Sequence, residues 1–284
     1  MAITPDPVPR GPVVTNINYG HFPAAGQKAI NYVEDPPAGE PKRNVVVNAQ
    51  DTRIEDIRGR ESDFTLDTDA FAAVRGVPES AERDFVDDDS IRAKYYPEVE
   101  RFLLDHIPGS HNIFIFDHTI RRADPTAKRQ AVFTAHIDQT PLSAPQRVYK
   151  HLPDEAEELL RGRYRIVNVW RSLNQGPVES NPLAFASSST FSNDDLIPVE
   201  HRYPNGYTGQ TAAIAYNPSQ KWYYWSGMTG NERLMLECFD SDGIKEGTGV
   251  KGGRVPHTAF IDPRTRKEAE GRESIEVRAL VFGP

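Results

Sequence analysis

His136 and Asp138 stand two apart in the stretch AVFTAHIDQT, residues 131–140, which otherwise reads as a β-strand. In an extended chain alternate side chains share a face. Val132, Thr134, His136 and Asp138 therefore fall on one side, and Phe133, Ala135 and Ile137 on the other. Dry and unpaired, an imidazole and a carboxylate would each carry a desolvation cost. A shared metal ion removes that cost, but two ligands rarely hold one, so a third is required. The chain has eight histidines from which to draw it. His21 lies in a glycine/proline loop, His106 at the end of an apolar helix, His151 beside a helix cap, and His201 in the polar turn PVEHRYPNG. His118, in FDHTIRR, is the serious rival. His257, in GGRVPHTAFIDP, enters a late apolar run directly behind a proline.

His136, Asp138 and His257 would supply two imidazoles and one carboxylate. Such a set covers one face of an octahedral ferrous ion and leaves three positions open for a bidentate cosubstrate and oxygen. The plain alternative is a group of unrelated polar residues, since His-x-Asp is common by chance. A carboxylate-bearing cosubstrate would need a guanidinium, whose planar fork matches it. The run RESIEVRALVF, residues 272–282, puts Arg272, Ser274, Glu276 and Arg278 on one parity of a strand. The plain alternative there is surface pairing of Arg278 with Glu276, or of Arg272 with Glu273.

The elements that must position these residues are short strands. The 23 prolines and 20 glycines in 284 residues argue against a helical bundle and favour strands joined by irregular loops. Residues 1–60 read as largely irregular, with NVVVNAQ as a short strand. A helix is expected in DDDSIRAKYYPEVERFLLDHI, kinked at or starting from Pro97, and another in LPDEAEELLRGR. Strands are expected at HNIFIFDHTIRR, YRIVNVWRSL, AFASSST, TAAIAYNP, KWYYWSG, RLMLECFDS and SIEVRALVF. The simplest organisation is a single domain over 1–284: an N-terminal extension with helical support over 1–110, and a metal-binding core over 111–284.

Charge and composition narrow the function. Thirty-three basic against 41 acidic residues give a net charge of −8 without a basic patch, which argues against nucleic acid. No stretch is long and apolar enough for a membrane span. The single Cys238 excludes an intramolecular disulfide framework and fits a reducing, cytoplasmic setting. Neither a nucleophile elbow nor a glycine-rich nucleotide fingerprint is present.

Seven blocks in order, FDHTIRR, AHIDQT, RIVNVWRSL, WYYWSGMTGNE, CFDS, RVPHTAF and RESIEVRALVF, resemble the non-haem iron(II) and 2-oxoglutarate-dependent oxygenases. The narrower likeness is to fungal gibberellin-desaturase-like enzymes, aspergillic-acid-type hydroxylases and the small subunit of a bacterial cephamycin-methoxylation system. The resemblance runs from about Phe116 to Phe282. It implies a mainly β, double-stranded β-helix (a cupin-like jelly roll) with N-terminal and peripheral helices, and it implies His136, Asp138 and His257 as Fe(II) ligands. It also implies 2-oxoglutarate and molecular oxygen as cosubstrates, and hydroxylation, desaturation or a related rearrangement of a small specialised metabolite, with succinate and carbon dioxide as co-products.

By the Arg-x-Ser pattern Arg272, fifteen positions after His257, carries over as the 2-oxoglutarate anchor, while Arg278 belongs to the narrower group's own IEVR block. Both stay open. Asn168 is a candidate donor to the inner carboxylate. Trp170, Trp222, Tyr224 and His118 are candidate pocket residues, against core packing for the aromatics and a hydrogen-bonded histidine near Asp117 for His118. Ser172 replaces the family's usual proline. Two other classes stay in view: a metal-dependent cupin-like hydrolase or isomerase, and a non-catalytic partner subunit of an oxygenase system. Oligomeric state is not legible.

Overall fold

The computed structural model describes residues 8–124 and 129–283. Fourteen strands among them form two sheets. The larger holds β1 (Val13–His21), β2 (Ala29–Tyr32), β3 (Val46–Asp56), β6 (His136–Ile137), β8 (Leu183–Ala186), β9 (Leu196–Arg202), β10 (Thr208–Ile214), β11 (Trp222–Tyr224) and β13 (His257–Ala259). Its order is β1-β3-β11-β8-β13-β6-β10-β9-β2. The smaller holds β4 (Phe71–Val74), β5 (Asn112–Arg121), β7 (Tyr164–Ser172), β12 (Arg233–Asp240) and β14 (Ser274–Phe282), in the order β4-β12-β7-β14-β5. Two sheets facing across a core are the architecture of a double-stranded β-helix, and the fold is of that mainly β kind.

Period-two alternation lets each strand serve two cores. On β7, Val167 and Val169 pack outward with Ile275, Val277 and Ala279 of β14, under the helix α1 (Tyr96–His106) and its residues Val99, Phe102 and Leu103. Trp170 faces the opposite way, onto Leu183 and Phe185 of the larger sheet. The inner face of the smaller sheet thus looks across at the larger one. A second helix, α2 (Ser143–His151), puts Ala144 and Val148 against Ile166, Leu280 and Phe282. Pro97 falls in the first turn of α1, where its missing N–H costs nothing. Five residues of π-helix, Ile91–Tyr95, lead into it.

The N-terminal hundred residues do more than support the core. β1 pairs with β3 along its whole length, and the larger sheet rolls until β1 meets its own far side. There Asn18 bridges Thr134, donates through its amide to the Phe133 carbonyl, and accepts from the Ala135 N–H. The roll encloses Ile17, Tyr19, Ile54, Ala184, Ile214, Trp222 and Tyr224. Residues 1–60 look largely irregular in sequence because β1 alternates few apolar residues with polar ones. Its buried positions, Val13, Ile17 and Tyr19, are too widely spaced to signal a strand.

Gly20 is where the roll closes. A Cβ there would lie 2.8 Å from the Ala213 Cβ and 3.2 Å from Ile197 Cδ1. Gly20→Val should therefore destabilise the protein by about 1–3 kcal/mol, the usual cost of overpacking, read as a lower urea midpoint. An unchanged midpoint would mean that β1 does not pack this closely on β10.

Candidate active site

β6 and β13 touch through one residue pair, His136 opposite His257, and the ring centroids lie 4.4 Å apart. Each Nδ1–H donates to a carbonyl two residues earlier, His136 to Thr134 at 2.8 Å and His257 to Val255 at 3.2 Å. These bonds turn Nε2 rather than Nδ1 of both rings toward a ligand. Asp138, just beyond β6, puts Oδ1 3.5 Å from His136 Nε2. One donor atom from each of the three residues lies within 4.8 Å of the other two, within reach of a single ion.

The electrostatics are those of a preformed cation site. Burial pushes the His257 imidazole down to about 4, helped by neighbouring His136, so it is neutral and ready to ligate. Burial also disfavours charge on His136, but the adjoining Asp138 carboxylate outweighs it and raises its pKa. Burial would raise Asp138; His136, His257 and Arg278 instead hold it well below the usual carboxylate range. The His136–Asp138 pair is thereby favoured in its charged form.

Beside the triad lies a set of buried polar atoms without hydrogen-bond partners among the described residues. Asn168 is fully buried with neither amide atom paired; Trp170 Nε1, Arg272 Nε and Ser274 Oγ are likewise unpaired. They belong together. Asn168 and Trp170 share the inner face of β7, and register places Glu276 opposite Trp170, Ser274 opposite Ser172 and Arg278 opposite Asn168. Arg272, just before β14, sits 5.9 Å over the Trp170 ring and donates once, to the Asn181 carbonyl at 2.8 Å. No carboxylate pairs with it among the described residues. Burial, with Arg121 adding to it and Glu276 opposing it, pulls its pKa down to about 10. Buried polar groups are almost always satisfied, so this cluster fits a polar, anionic guest. The metal triad and the cradle together fit iron(II) and 2-oxoglutarate.

Other expected positions fall elsewhere. Arg278 is already engaged: it forks onto Asp117 at 2.7 and 3.0 Å. Trp222 and Tyr224 lie on the opposite face of the larger sheet, inside its roll, and do not look at the triad. His118 turns to the outer face of the smaller sheet, accepting from or donating to Tyr96 at 2.9 Å and sitting 3.2 Å from Asp88. The surface pairings weighed for Arg272 and Arg278 are not formed; Glu276 pairs with Arg121 at 2.6 Å, and Glu273 with Arg122.

The sequence reading missed one feature. A cavity of about 260 Å³ opens next to His136, lined by Arg43, Val45, Val132, Val199, His201 and Ala213 among others. His201 is not in a turn but on β9, where Asn31 Nδ2 donates to its Nδ1 at 3.1 Å and its Nε2 lies 2.8 Å from Thr211 Oγ1. The alternation of Ile197, Val199 and His201 was the available signal.

A mainly β double-sheet fold presenting a two-histidine, one-carboxylate triad defines a non-haem iron(II) oxygenase. The family model described as "Oxidoreductase/YMDC permease-like domain" matches residues 17–282. The hydroxylase/desaturase poxK of Penicillium oxalicum is 37% identical over 308 residues, spanning 99% of this chain and 94% of that protein. The Fe(II)/2-oxoglutarate-dependent dioxygenase nvfI of Aspergillus novofumigatus is 32% identical over 92% of this chain and 94% of its own. The solved structure of the iron and alpha-ketoglutarate-dependent endoperoxidase NvfI superposes with a TM-score of 0.84 at 26% identity, over 97% of this chain and 99% of that one. The chain belongs to this family of iron(II)- and 2-oxoglutarate-dependent oxygenases, and it carries out oxidative chemistry on a small metabolite. A cupin-like hydrolase or isomerase is thereby set aside.

The ion pair has a measurable consequence. His136 binds its proton more tightly than a free imidazole, so below that raised pKa an incoming cation must displace one proton, whereas His257 has none to lose above about pH 4. Affinity of the metal-free protein for Co(II) should rise with pH by one proton's worth and level off above the His136 pKa. A slope of two protons between pH 6 and 7 would contradict this assignment. Asp138→Ala should weaken Co(II) binding by more than the ~10–100-fold typical of losing a ligand's supporting partner.

Proposed function

We propose that the whole chain works as a single oxygenase unit. In this reading His136, Asp138 and His257 hold Fe(II), and Arg272 grips the distal carboxylate of 2-oxoglutarate. The observation that carries the second assignment is the unpaired, buried guanidinium of Arg272 beside the equally unpaired Ser274, Trp170 and Asn168. Iron bound by the triad supplies oxygen activation coupled to conversion of 2-oxoglutarate to succinate and carbon dioxide. The protein's own part is positional. Arg272 and Ser274 bind the outer carboxylate, and Asn168 offers its amide N–H to the inner one. Trp170 walls the cosubstrate off from the apolar core formed by Phe185 and Leu234. In a water-poor site such charge-assisted contacts are stronger than at a surface.

In the same reading the substrate occupies the cavity beside His136. Val45, Val132, Val199 and Ala213 give it mainly apolar walls, and Arg43, which pairs with no carboxylate among the described residues, stands at its edge. This supports an apolar metabolite carrying a carbonyl or carboxylate oxygen. Hydroxylation or desaturation follows from which hydrogen that pose presents. With a single cysteine, the buried Cys238, the chain uses no internal disulfide, which supports a reducing, cytoplasmic setting.

Two measurements test these assignments. Each charge-assisted hydrogen bond lost from Arg272 is worth roughly 1.5–3 kcal/mol, so Arg272→Ala should weaken 2-oxoglutarate binding to the metal-loaded protein at least tenfold in anaerobic calorimetry. Undiminished binding would remove Arg272 from this role. A panel of aromatic and alicyclic ketones and carboxylic acids can be screened for stimulated succinate release. For those that stimulate, Val199→Phe should depress the stimulated rate far more than the substrate-free rate. Equal loss of both would place the substrate outside this cavity.

A further inference from the structure

Asp138 has two oxygens with different surroundings. Oδ1 faces the His136 Nε2. Oδ2 faces away from it, toward Arg278 Nη1 at 3.7 Å and the Cys238 thiol at 3.7 Å. The arginine is not loose. Asp117 on the neighbouring strand takes its Nε and Nη2 in a two-pronged pair at 2.7 and 3.0 Å, and Thr119 Oγ1 lies 3.3 Å from Nη2. That fork leaves Nη1 as the one end aimed at the site. The β5–β14 ladder shifts register between Arg278 and Ala279, where β5 carries one extra residue, Phe116, directly before Asp117.

From this geometry we infer that Arg278, braced by Asp117, is a positioning residue for Asp138: it holds Oδ2 so that Oδ1 alone is presented to the metal. The inference rests on the triad being the iron site. A carboxylate free to swing can offer both oxygens to an ion and fill a position that cosubstrate or oxygen needs. A guanidinium on the second oxygen prevents this and offsets part of the charge that two carboxylate-bearing groups bring to one buried ion. The same geometry argues against Arg278 as the cosubstrate's anchor. Its paired donors are spent on Asp117 and its remaining end lies against a metal ligand, whereas Arg272 has no carboxylate partner among the described residues.

The test uses Co(II), whose visible absorption reports coordination number, titrated into metal-free wild type, Arg278→Met, Arg278→Lys and Asp117→Asn. Partners of metal ligands typically contribute ~10–100-fold in affinity. Arg278→Met should lose that much Co(II) affinity and change the Co(II) band shape, while 2-oxoglutarate affinity of the Co(II)-loaded protein moves less than about threefold. Arg278→Lys should recover part of the affinity, and Asp117→Asn should shift it in the same direction as Arg278→Met by a smaller factor. If Arg278→Met does not fold by circular dichroism, Asp117→Asn carries the test. Wild-type spectrum and affinity in Arg278→Met, or in Asp117→Asn where it is the sole folded variant, overturn the inference. So does a selective loss of 2-oxoglutarate binding in Arg278→Met. Failure of the wild type itself to bind Co(II) would instead overturn the triad.

Discussion

A negative charge largely withdrawn from water between two sheets is the constraint around which this molecule is arranged. Asp138 sits on the larger sheet's side of the core, and taking a lone carboxylate there out of water would cost several kcal/mol. The fold answers with groups from both sheets: His136 and His257 from one, Arg278 from the other. The two sheets are therefore joined electrostatically as well as by apolar packing. A site with this much unfavourable burial is stable only because the surrounding strands hold every partner in place. The apolar clusters on either side supply that rigidity.

The same logic separates the two arginines of the last strand and its approach. One has its countercharge within the protein and the other does not. A guanidinium paired to Asp117 belongs to the frame of the site, whereas one left with a single carbonyl and an indole face is held ready for something that arrives. Glu276, between them, is held ionised by Arg121 although burial opposes it. From Arg272, just before β14, to Arg278 on it, one receptive charge is thus followed by two satisfied ones.

How much of this was legible in sequence depended on the range of the interaction. The His-x-Asp pair is local and Pro256-His257 is a compact block; residue type marked them as candidates, and the resemblance joined them into one set. The double-sheet fold followed from strand-rich, proline-rich composition together with the resemblance. The roles of Trp222 and Tyr224 were not legible. Alternation divides β11 into two faces, but where both faces of a sheet are buried it does not say which one looks at the metal. Arg278 could not be separated from Arg272 because its partner, Asp117, is 161 residues away. His201 was hidden by polar neighbours, and β1 by its sparse apolar spacing. What was lost in each case is tertiary pairing, which has no local signature.

The order of the strands has a consequence for how the site comes into being. β5 and β7 are not paired with each other; β14 lies between them. His136 likewise meets His257 only across β6 and β13, strands far apart in the chain. Loop-closure entropy must be met before such distant pairings stabilise anything. Neither the smaller sheet nor the triad can assemble progressively from the N-terminal side. Until β13 and β14 have docked, Asp138 has neither His257 nor Arg278 beside it. A cation present at that stage would meet a flexible His-x-Asp pair, while the discriminating geometry arises only with the last strands. Selection of the metal is thereby coupled to completion of the fold.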